Sequence, residues 1–147
     1  MRKDRTSRRT AVVEAARRIY KELGSGFVEQ VYRDAMAVEF RLLGLPYEVE
    51  RNIEVFYRDE RVGLHRLDFI VDHSLVVELK AAAKISEHNS AQTRAYLKTT
   101  RLSAALVINF PSPDTEDGLP EVLFVSPRTR AAAKPLKLRG VTEQKKR

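Results

Sequence analysis

The sequence predicts one mixed α/β domain in which helices pack against a central mixed β-sheet, with the element order α-α-β-β-β-α-β-β. Two segments with helical spacing of apolar residues come first, and segments that alternate apolar and polar residues follow. One further helical segment interrupts the strands, which is typical of a crossover within a sheet. The 147 residues are enough to bury one core and leave little room for a second.

The two N-terminal helices are indicated by apolar stripes and by glycines that end them. The first is expected over residues 8–23, and its stripe consists of Val12, Ala15, Ala16, Ile19 and Leu23. Gly24-Ser25-Gly26 ends this helix, and the second covers about 27–43 with Gly44 as its C-terminal stop. The predicted inner face of the second helix consists of Val31, Ala35, Val38 and Leu42.

The remaining elements follow from alternation and turn residues. Pro46 begins an extended segment, and Arg58-Asp59-Glu60 and Asp72-His73-Ser74 are predicted turns that make the first three strands antiparallel. Ser86 is the predicted N-cap of the third helix. The strands are expected over 47–57, 61–71, 75–81, 105–110 and 121–125, with the helix over 87–101.

The net charge of +7 is concentrated at the two ends of the chain. Residues 1–10 carry five basic and one acidic side chain, residues 127–147 carry eight and one, and residues 11–126 carry 14 and 18. We therefore expect a basic N-terminal extension, a domain over 11–126, and a mobile basic C-terminal tail. Such ends can bind phosphates without sequence preference, but they are as often solvated termini, so charge alone predicts no partner.

The composition also bears on the compartment. The chain contains no cysteine, which excludes disulfides and thiolate metal sites and fits the reducing cytoplasm. No apolar run approaches the roughly 20 residues of a membrane span, and no apolar signal-peptide segment follows the basic first ten residues. We therefore expect a cytoplasmic protein without membrane association.

The third predicted strand carries Glu78 and Lys80 on one face of an otherwise apolar run. Charged side chains are rarely buried without partners. If the turn at 72–74 has three residues, Asp68 of the preceding strand lies opposite Glu78, and two opposed carboxylates suit a hard cation. A two-residue turn would instead send the carboxylates to opposite faces. In the simpler alternative, Lys80 ends the strand in solvent and pairs with Glu78.

Three further residues are candidates with strong structural alternatives. Gln92 and Tyr96 lie four residues apart and share one face of the third helix, where a solvated glutamine and a core tyrosine are the ordinary explanations. Glu29 is the third helical residue if Gly26 is the N-cap, so physical reasoning alone favours a capping role for it.

A family resemblance joins these residues. Gly26, Glu29 and Tyr32 spell a GxxExxY pattern, and the segment ELGSGFVEQVYRDAMAVEFRLLGLPYE resembles the start of the GxxExxY family. Further similar segments are Asp68 in LDFIVD, Glu78-Leu79-Lys80, Gln92 with Tyr96-Leu97-Lys98, and LVINF, so the match spans about residues 8–126. This family resembles the PD-(D/E)XK nuclease superfamily, whose restriction-endonuclease-like core is a mixed sheet flanked by helices.

The resemblance implies a nuclease that uses Mg²⁺ or Mn²⁺ to hydrolyse phosphodiester bonds of nucleic acid, with DNA favoured over RNA. It implies that the cation is bound by Asp68, Glu78 and the backbone carbonyl of Leu79. Lys80 would position the attacking water, and Glu29 would add an acidic group from the helix. The catalytic residues expected from the resemblance are Lys80, Glu29, Gln92 and Tyr96, the last two forming a Q-x-x-x-Y element.

Other classes of function stay open at this point. A catalytically silent nuclease-fold module would bind nucleic acid or a partner protein without cutting it, and the terminal positive charge favours this reading because mobile basic segments suit binding. A purely structural or assembly domain is the third alternative. Small nucleases often dimerise to reach both strands of a duplex, so a homodimer is also among the expectations.

Overall fold

Three helices and six strands make up the part of the chain that the computed structural model describes, residues 2–113, 119–128 and 136–137. The helices are α1 (Arg2–Leu23), α2 (Glu29–Leu43) and α3 (Glu87–Thr100). The strands are β1 (Tyr47–Tyr57), β2 (Glu60–Val71), β3 (Leu75–Lys80), β4 (Ala104–Asn109), β5 (Glu121–Val125) and β6 (Leu136–Lys137). The predicted fold class and element order are confirmed, and β6 is an addition at the sheet edge.

The described strands form one mixed sheet in sequence order from β1 to β6. β3 and β4 are parallel, and the other neighbouring pairs are antiparallel. Parallel neighbours need a long crossover, which α3 provides. The turn at 72–74 pairs Val71 with Leu75. This three-residue turn sets the register between β2 and β3. In that register Asp68 lies opposite Glu78.

Apolar side chains are buried on both faces of the sheet. Helices α1 and α2 cover one face and contact Phe69, Val77 and Leu79. Helix α3 covers the other face, which includes Ile70 and Val76. Because β3 lies between two cores, its sequence is an apolar run rather than a simple alternation. No helix in the described part of the chain is both long and apolar enough to cross a membrane.

Helix α1 begins at Arg2 rather than at residue 8, so residues 2–10, expected as an extension, continue the helix. The predicted stripe is buried except for Leu23, which is exposed at the end of the helix. At the other end of the chain, residues 136–137 of the predicted tail pair with β5. Residues 129–135 and 138–147 of the tail lie outside the described residues, and the predicted domain bounds stay a prediction.

Helix α2 differs from the prediction in its start and in its buried face. It begins at Glu29 with Val28 as N-cap, so the predicted cap at Gly26 and the third helical position of Glu29 are wrong. Its buried residues are Tyr32, Met36 and Phe40. Of the predicted inner face, Val38 is 44% exposed and Leu42 is 78% exposed. Apolar residues lie on several sides of this helix, and the face with the largest side chains is buried because it removes the most apolar area from water.

Tyr32 joins α2 to the end of α1. Its hydroxyl donates a hydrogen bond to the carbonyl of Gly24 at 2.6 Å, and its ring stacks on Phe110 with centroids 4.3 Å apart. Gly26, between the helices, has a φ of 99°, a conformation that favours glycine. The glycine and tyrosine of the GxxExxY pattern therefore set the position at which α2 begins, and this position determines where Glu29 lies.

The N-terminus of α3 is capped as predicted. The Ser86 hydroxyl accepts a hydrogen bond from the Asn89 amide at 3.1 Å, and the Asn89 side chain accepts one from the Ser86 amide at 3.0 Å. This reciprocal pair satisfies two amides that have no partner within the helix.

Candidate active site

The ladder between β2 and β3 opens at Asp68 and Glu78, and their carboxylates replace its backbone hydrogen bonds. Backbone pairing ends one residue earlier, at Phe69 and Val77. Beyond that point the Leu79 amide donates to Asp68 Oδ2 at 2.8 Å, and the Asp68 amide donates to Glu78 Oε1 at 2.9 Å. The second oxygen of each carboxylate is not used by these amides.

Both carboxylates are buried, with Asp68 8% and Glu78 5% exposed. Burial first, and then the charge of Asp68, raise the pKa of Glu78 to about 8, although the Asp68 amide and Lys80 act in the opposite direction. Burial also raises the pKa of Asp68, against the lowering effects of the Leu79 amide, Arg33 and Lys80. The fold therefore disfavours two ionised carboxylates here, a situation that a cation reverses.

Glu29 and Lys80 lie around the same pair. Burial and the charge of Asp68 raise the pKa of the half-buried Glu29, whereas Lys80 lowers it. Lys80 is the last residue of β3, and its charge also lowers the pKa of Asp68 and of Glu78. The Lys80 side chain makes no hydrogen bond or ion pair with a described residue. The simpler alternative, an ion pair between Lys80 and Glu78, is therefore absent from the described part of the chain.

Helix α3 brings Tyr96 to this cluster. Burial and then the charges of Glu78 and Asp68 raise the pKa of Tyr96 to about 12. The Tyr96 ring also packs on His65 with centroids 4.8 Å apart. Gln92 lies one turn earlier on α3 and is half-buried, but it hydrogen-bonds to no described residue. The structure thus brings Tyr96 to the carboxylates and gives Gln92 no bond to them.

Two charged residues of the cluster have no counterpart in the sequence-based prediction. Arg33 Nε lies 3.3 Å from Asp68 Oδ1, and Arg33 Nη1 donates to Glu50 Oε1 at 2.6 Å. Because Arg33 follows Glu29 by four residues, helical spacing could have placed the two on one face. Glu50 lies on β1 with a φ of 50°, and no sequence pattern marks it.

The buried Asn109 holds the chain that follows β3. Its side chain accepts a hydrogen bond from the Ala82 amide and donates one to the Ala82 carbonyl, both at 2.9 Å. It also donates to Glu121 Oε1 at 3.0 Å. The Phe110 amide donates to the Lys80 carbonyl at 2.8 Å. These bonds fix the backbone of Lys80 at the edge of the carboxylate pair.

The oxygen donors at this edge fit a hard divalent cation. No three carboxylate, histidine or cysteine side chains converge on a metal position within the described residues. The side chains that could hold a cation here are Asp68 and Glu78, and the Leu79 carbonyl is the third donor that the family resemblance implies. Mg²⁺ commonly takes one or two carboxylates and completes its shell with water and substrate phosphate. A pair of buried carboxylates, each with one oxygen that no backbone amide binds, satisfies that requirement.

The metal-free protein is expected to lose stability as the pH rises from about 4.5 to about 8. Glu78 ionises near 4.5 in the unfolded chain, whereas burial raises its pKa in the folded protein to about 8. Between these values the folded state retains a proton that the unfolded state has released, so the free energy of unfolding falls by up to about 1.4 kcal/mol per pH unit. The raised pKa values of Asp68 and Glu29 act with the same sign. Urea denaturation in EDTA at several pH values measures the slope.

The matched variants are Glu78→Gln and Glu54→Gln. The glutamine at 78 can still accept the Asp68 amide but cannot ionise, so most of the slope should disappear and the stability at pH 8 should rise. Glu54 is an exposed glutamate of β1, and its replacement should keep the wild-type slope. A slope as steep in Glu78→Gln as in the wild type would contradict the assignment.

Comparison with known proteins agrees with this arrangement. A family model described as the PD-(D/E)XK nuclease superfamily matches residues 6–122 of the 147, which includes the carboxylate pair and all three helices apart from the first residues of α1. No curated protein and no solved structure gives a significant match. The narrower resemblance to the GxxExxY family stays a prediction. Because the match covers more than three quarters of its residues and the mixed sheet with flanking helices fits a restriction-endonuclease-like fold, the chain belongs to the PD-(D/E)XK nuclease superfamily.

Proposed function

We propose that this protein is a nuclease that uses Mg²⁺ or Mn²⁺ to hydrolyse phosphodiester bonds of nucleic acid, with DNA as the favoured substrate. The observation that carries the proposal is the pair of buried, opposed carboxylates, Asp68 and Glu78, at the point where the sheet opens. A purely structural pair of this kind would be destabilising. Membership of a nuclease superfamily supports the same chemistry.

In this proposal Asp68, Glu78 and the Leu79 carbonyl would hold the cation, and each carboxylate has one oxygen that no backbone amide binds. A divalent cation at such a site lowers the pKa of water and neutralises charge on phosphate oxygens. The role of the fold is to keep the carboxylates oriented, since each one is anchored by a backbone amide of the facing strand.

The other residues act on water and phosphate. Lys80 orients the attacking water, since its ammonium has no bonded partner in the described part of the chain and lies near three carboxylates. Glu29 accepts the proton of that water, a role that its raised pKa favours. Tyr96, whose pKa of about 12 keeps it protonated at neutral pH, donates a hydrogen bond to a phosphate oxygen. Gln92, one turn before Tyr96 on α3, contacts the substrate.

A catalytically silent module that binds nucleic acid or a partner protein is the second candidate. The contact between Arg33 and Asp68 favours it, because a carboxylate that is already paired with an arginine has less need of a metal ion. The two candidates therefore differ in whether a divalent cation can enter the carboxylate pair and whether phosphodiester bonds are then cut.

A cleavage assay on purified protein tests the proposal. Single- and double-stranded DNA and RNA are incubated with Mg²⁺, Mn²⁺, Ca²⁺ or EDTA, and products are resolved on denaturing gels. We expect cleavage with Mg²⁺ and Mn²⁺ and none in EDTA, with DNA cut faster than RNA. Binding of DNA without cleavage under every metal would instead support the silent module. Faster cleavage of RNA would overturn the substrate preference alone.

A further inference from the structure

Arg33 lies among three carboxylates that come from three elements of the fold. Its Nη1 is 2.6 Å from Glu50 of β1, its Nε is 3.3 Å from Asp68 of β2, and its Nη2 is 4.0 Å from Glu29 of its own helix. The side chain is only 14% exposed. One buried guanidinium thus supplies positive charge to a cluster of acidic groups that would otherwise repel one another.

The contacts of Arg33 with Glu50 and with Asp68 are of different quality. Nη1 donates a short hydrogen bond to Glu50. Nε is buried but donates no hydrogen bond to a described residue, because its N–H is not aligned with the nearby Asp68 oxygen. An arginine that serves mainly to fix a carboxylate typically binds it with two parallel hydrogen bonds. The attraction to Asp68 is therefore mainly Coulombic and can be exchanged for that of another cation.

The Asp68 oxygen that faces Arg33 is the one that a metal ion needs. Oδ2 of Asp68 accepts the Leu79 amide at 2.8 Å, which leaves Oδ1 for a cation. Arg33 Nε lies beside this same Oδ1. A divalent cation that binds Asp68 through Oδ1 therefore competes with the guanidinium.

Glu50 can keep the guanidinium of Arg33 bound after it separates from Asp68. Glu50 faces Asp68 across β1 and β2, between the pairs Val49–Phe69 and Arg51–Leu67. Its φ of 50° is rare for a residue with a side chain, and such conformations concentrate at functional positions. The hydrogen bond between Nη1 and Glu50 can persist while Nε separates from Asp68.

We propose that Arg33 is an internal counter-ion of Asp68 in the metal-free protein, and that a divalent cation displaces its guanidinium from Asp68 while Glu50 retains it. This inference rests on the proposed function, because Arg33 acts on the same carboxylate pair that would hold the cation. Arg33 acts through Asp68 and is a positioning residue. It lowers the affinity of the site for the cation and stabilises the site when the cation is absent.

The test is calorimetric titration of the full chain with Mn²⁺ alone, which needs no substrate. Arg33→Met keeps the apolar stem and removes the competing charge, so we expect about 10- to 100-fold tighter binding of Mn²⁺. The metal-free variant should also melt at a lower temperature than the wild type. Arg66→Met is the matched control, since Arg66 lies 3.6 Å from the same Glu50 but is exposed, and its affinity should stay within about twofold of the wild type.

Glu50→Gln tests the second half of the inference and remains informative if Arg33→Met fails to fold. Without the Glu50 charge the guanidinium should stay on Asp68, so Mn²⁺ should bind about threefold to tenfold more weakly. In the Arg33→Met background, Glu50→Gln should have a much smaller effect, because only the direct action of the Glu50 charge on Asp68 then remains. If the two charges instead acted independently on the cation, the changes in Mn²⁺ affinity caused by Arg33→Met and Glu50→Gln would add in the double variant.

The outcomes separate this inference from the proposed function. If the wild type binds Mn²⁺ and Arg33→Met binds it equally well, the counter-ion role is wrong and the nuclease proposal stands. An unchanged affinity in Glu50→Gln overturns the retention of Arg33 by Glu50. If neither the wild type nor Arg33→Met binds Mn²⁺ at millimolar concentration, both proposals fail. Binding by Arg33→Met alone would show that the arginine excludes the cation instead of being displaced by it, which overturns both the displacement and the proposed nuclease.

Discussion

Asp68→Asn is expected to lower metal-dependent cleavage by at least about a thousandfold while the protein stays folded. The amide removes one of two carboxylate charges that hold the cation, and metal ions commonly contribute several kcal/mol to the transition state, with about 1.4 kcal/mol for each factor of ten. Asparagine is preferable to alanine because its oxygen can still accept the Leu79 amide. Alanine would leave that buried N–H without a partner, which costs about 1–3 kcal/mol. The rate is measured under single-turnover conditions with Mg²⁺.

The control for this variant is Asp72→Asn. Asp72 lies in the turn after β2 and pairs with Arg8 at 2.9 Å, at the opposite end of β3 from Lys80. Its replacement should leave the cleavage rate within about twofold of the wild type. A nuclease preparation in which Asp68→Asn cuts as fast as the wild type would place the activity outside this carboxylate pair, or in a contaminant.

The sequence was sufficient to predict the sheet and the carboxylate pair because both depend on local signals. Asp72 and His73 both adopt positive φ, and the three-residue turn they form with Ser74 fixes the β2–β3 register. Once that register holds, the period of two along each strand brings Asp68 opposite Glu78. The Ser86 cap is equally local, since its partner Asn89 is three residues away.

The surroundings of the pair depend on contacts between distant segments, which sequence spacing does not encode. Glu50 reaches Arg33 from another element of the fold, and its positive φ has no marker such as glycine. The buried face of α2 was mispredicted because two apolar stripes compete on that helix, and only the shape of the sheet beneath decides between them. The opening of the ladder beyond Phe69 is likewise a property of paired strands and not of either strand alone.

Glu29 shows how a local sequence signal can mislead when contacts between distant segments decide the position of a residue. Its sequence position suggests a capping role at the third helical position after Gly26. In the structure Val28 is the N-cap and makes no side-chain cap bond, and Glu29 is the first residue of α2. The position of Glu29 is instead set by Tyr32, whose hydroxyl binds the Gly24 carbonyl and whose ring stacks on Phe110. A residue that looks like part of a helix start therefore faces the carboxylates, and the tyrosine that orients it lies in the core.

Lys80→Ala is expected to reduce cleavage by about two to four orders of magnitude while leaving the affinity for Mn²⁺ unchanged or slightly higher. The reduction is the usual scale for losing a positioned electrostatic or proton-transfer group. Metal binding should not suffer, because a nearby positive charge opposes the cation. Since the Lys80 side chain bonds to no described residue and acts on the carboxylates only through its charge, the variant should stay folded. Single-turnover cleavage rates and calorimetric titration with Mn²⁺, both on the same preparation, check the expected rate and the expected affinity.

Two further variants decide whether the ammonium itself matters. Lys80→Arg keeps the charge but replaces a compact ammonium with a broad planar fork, so it should not restore the rate. Lys84→Ala removes an exposed lysine from the segment that follows β3 and should cut at the wild-type rate. If Lys80→Ala also cuts at the wild-type rate, the lysine is only a charge at the end of a strand, and the group that orients the water must be sought elsewhere around Asp68 and Glu78. Loss of rate in Lys80→Ala with unchanged Mn²⁺ affinity would instead separate a catalytic centre from a site that merely binds metal.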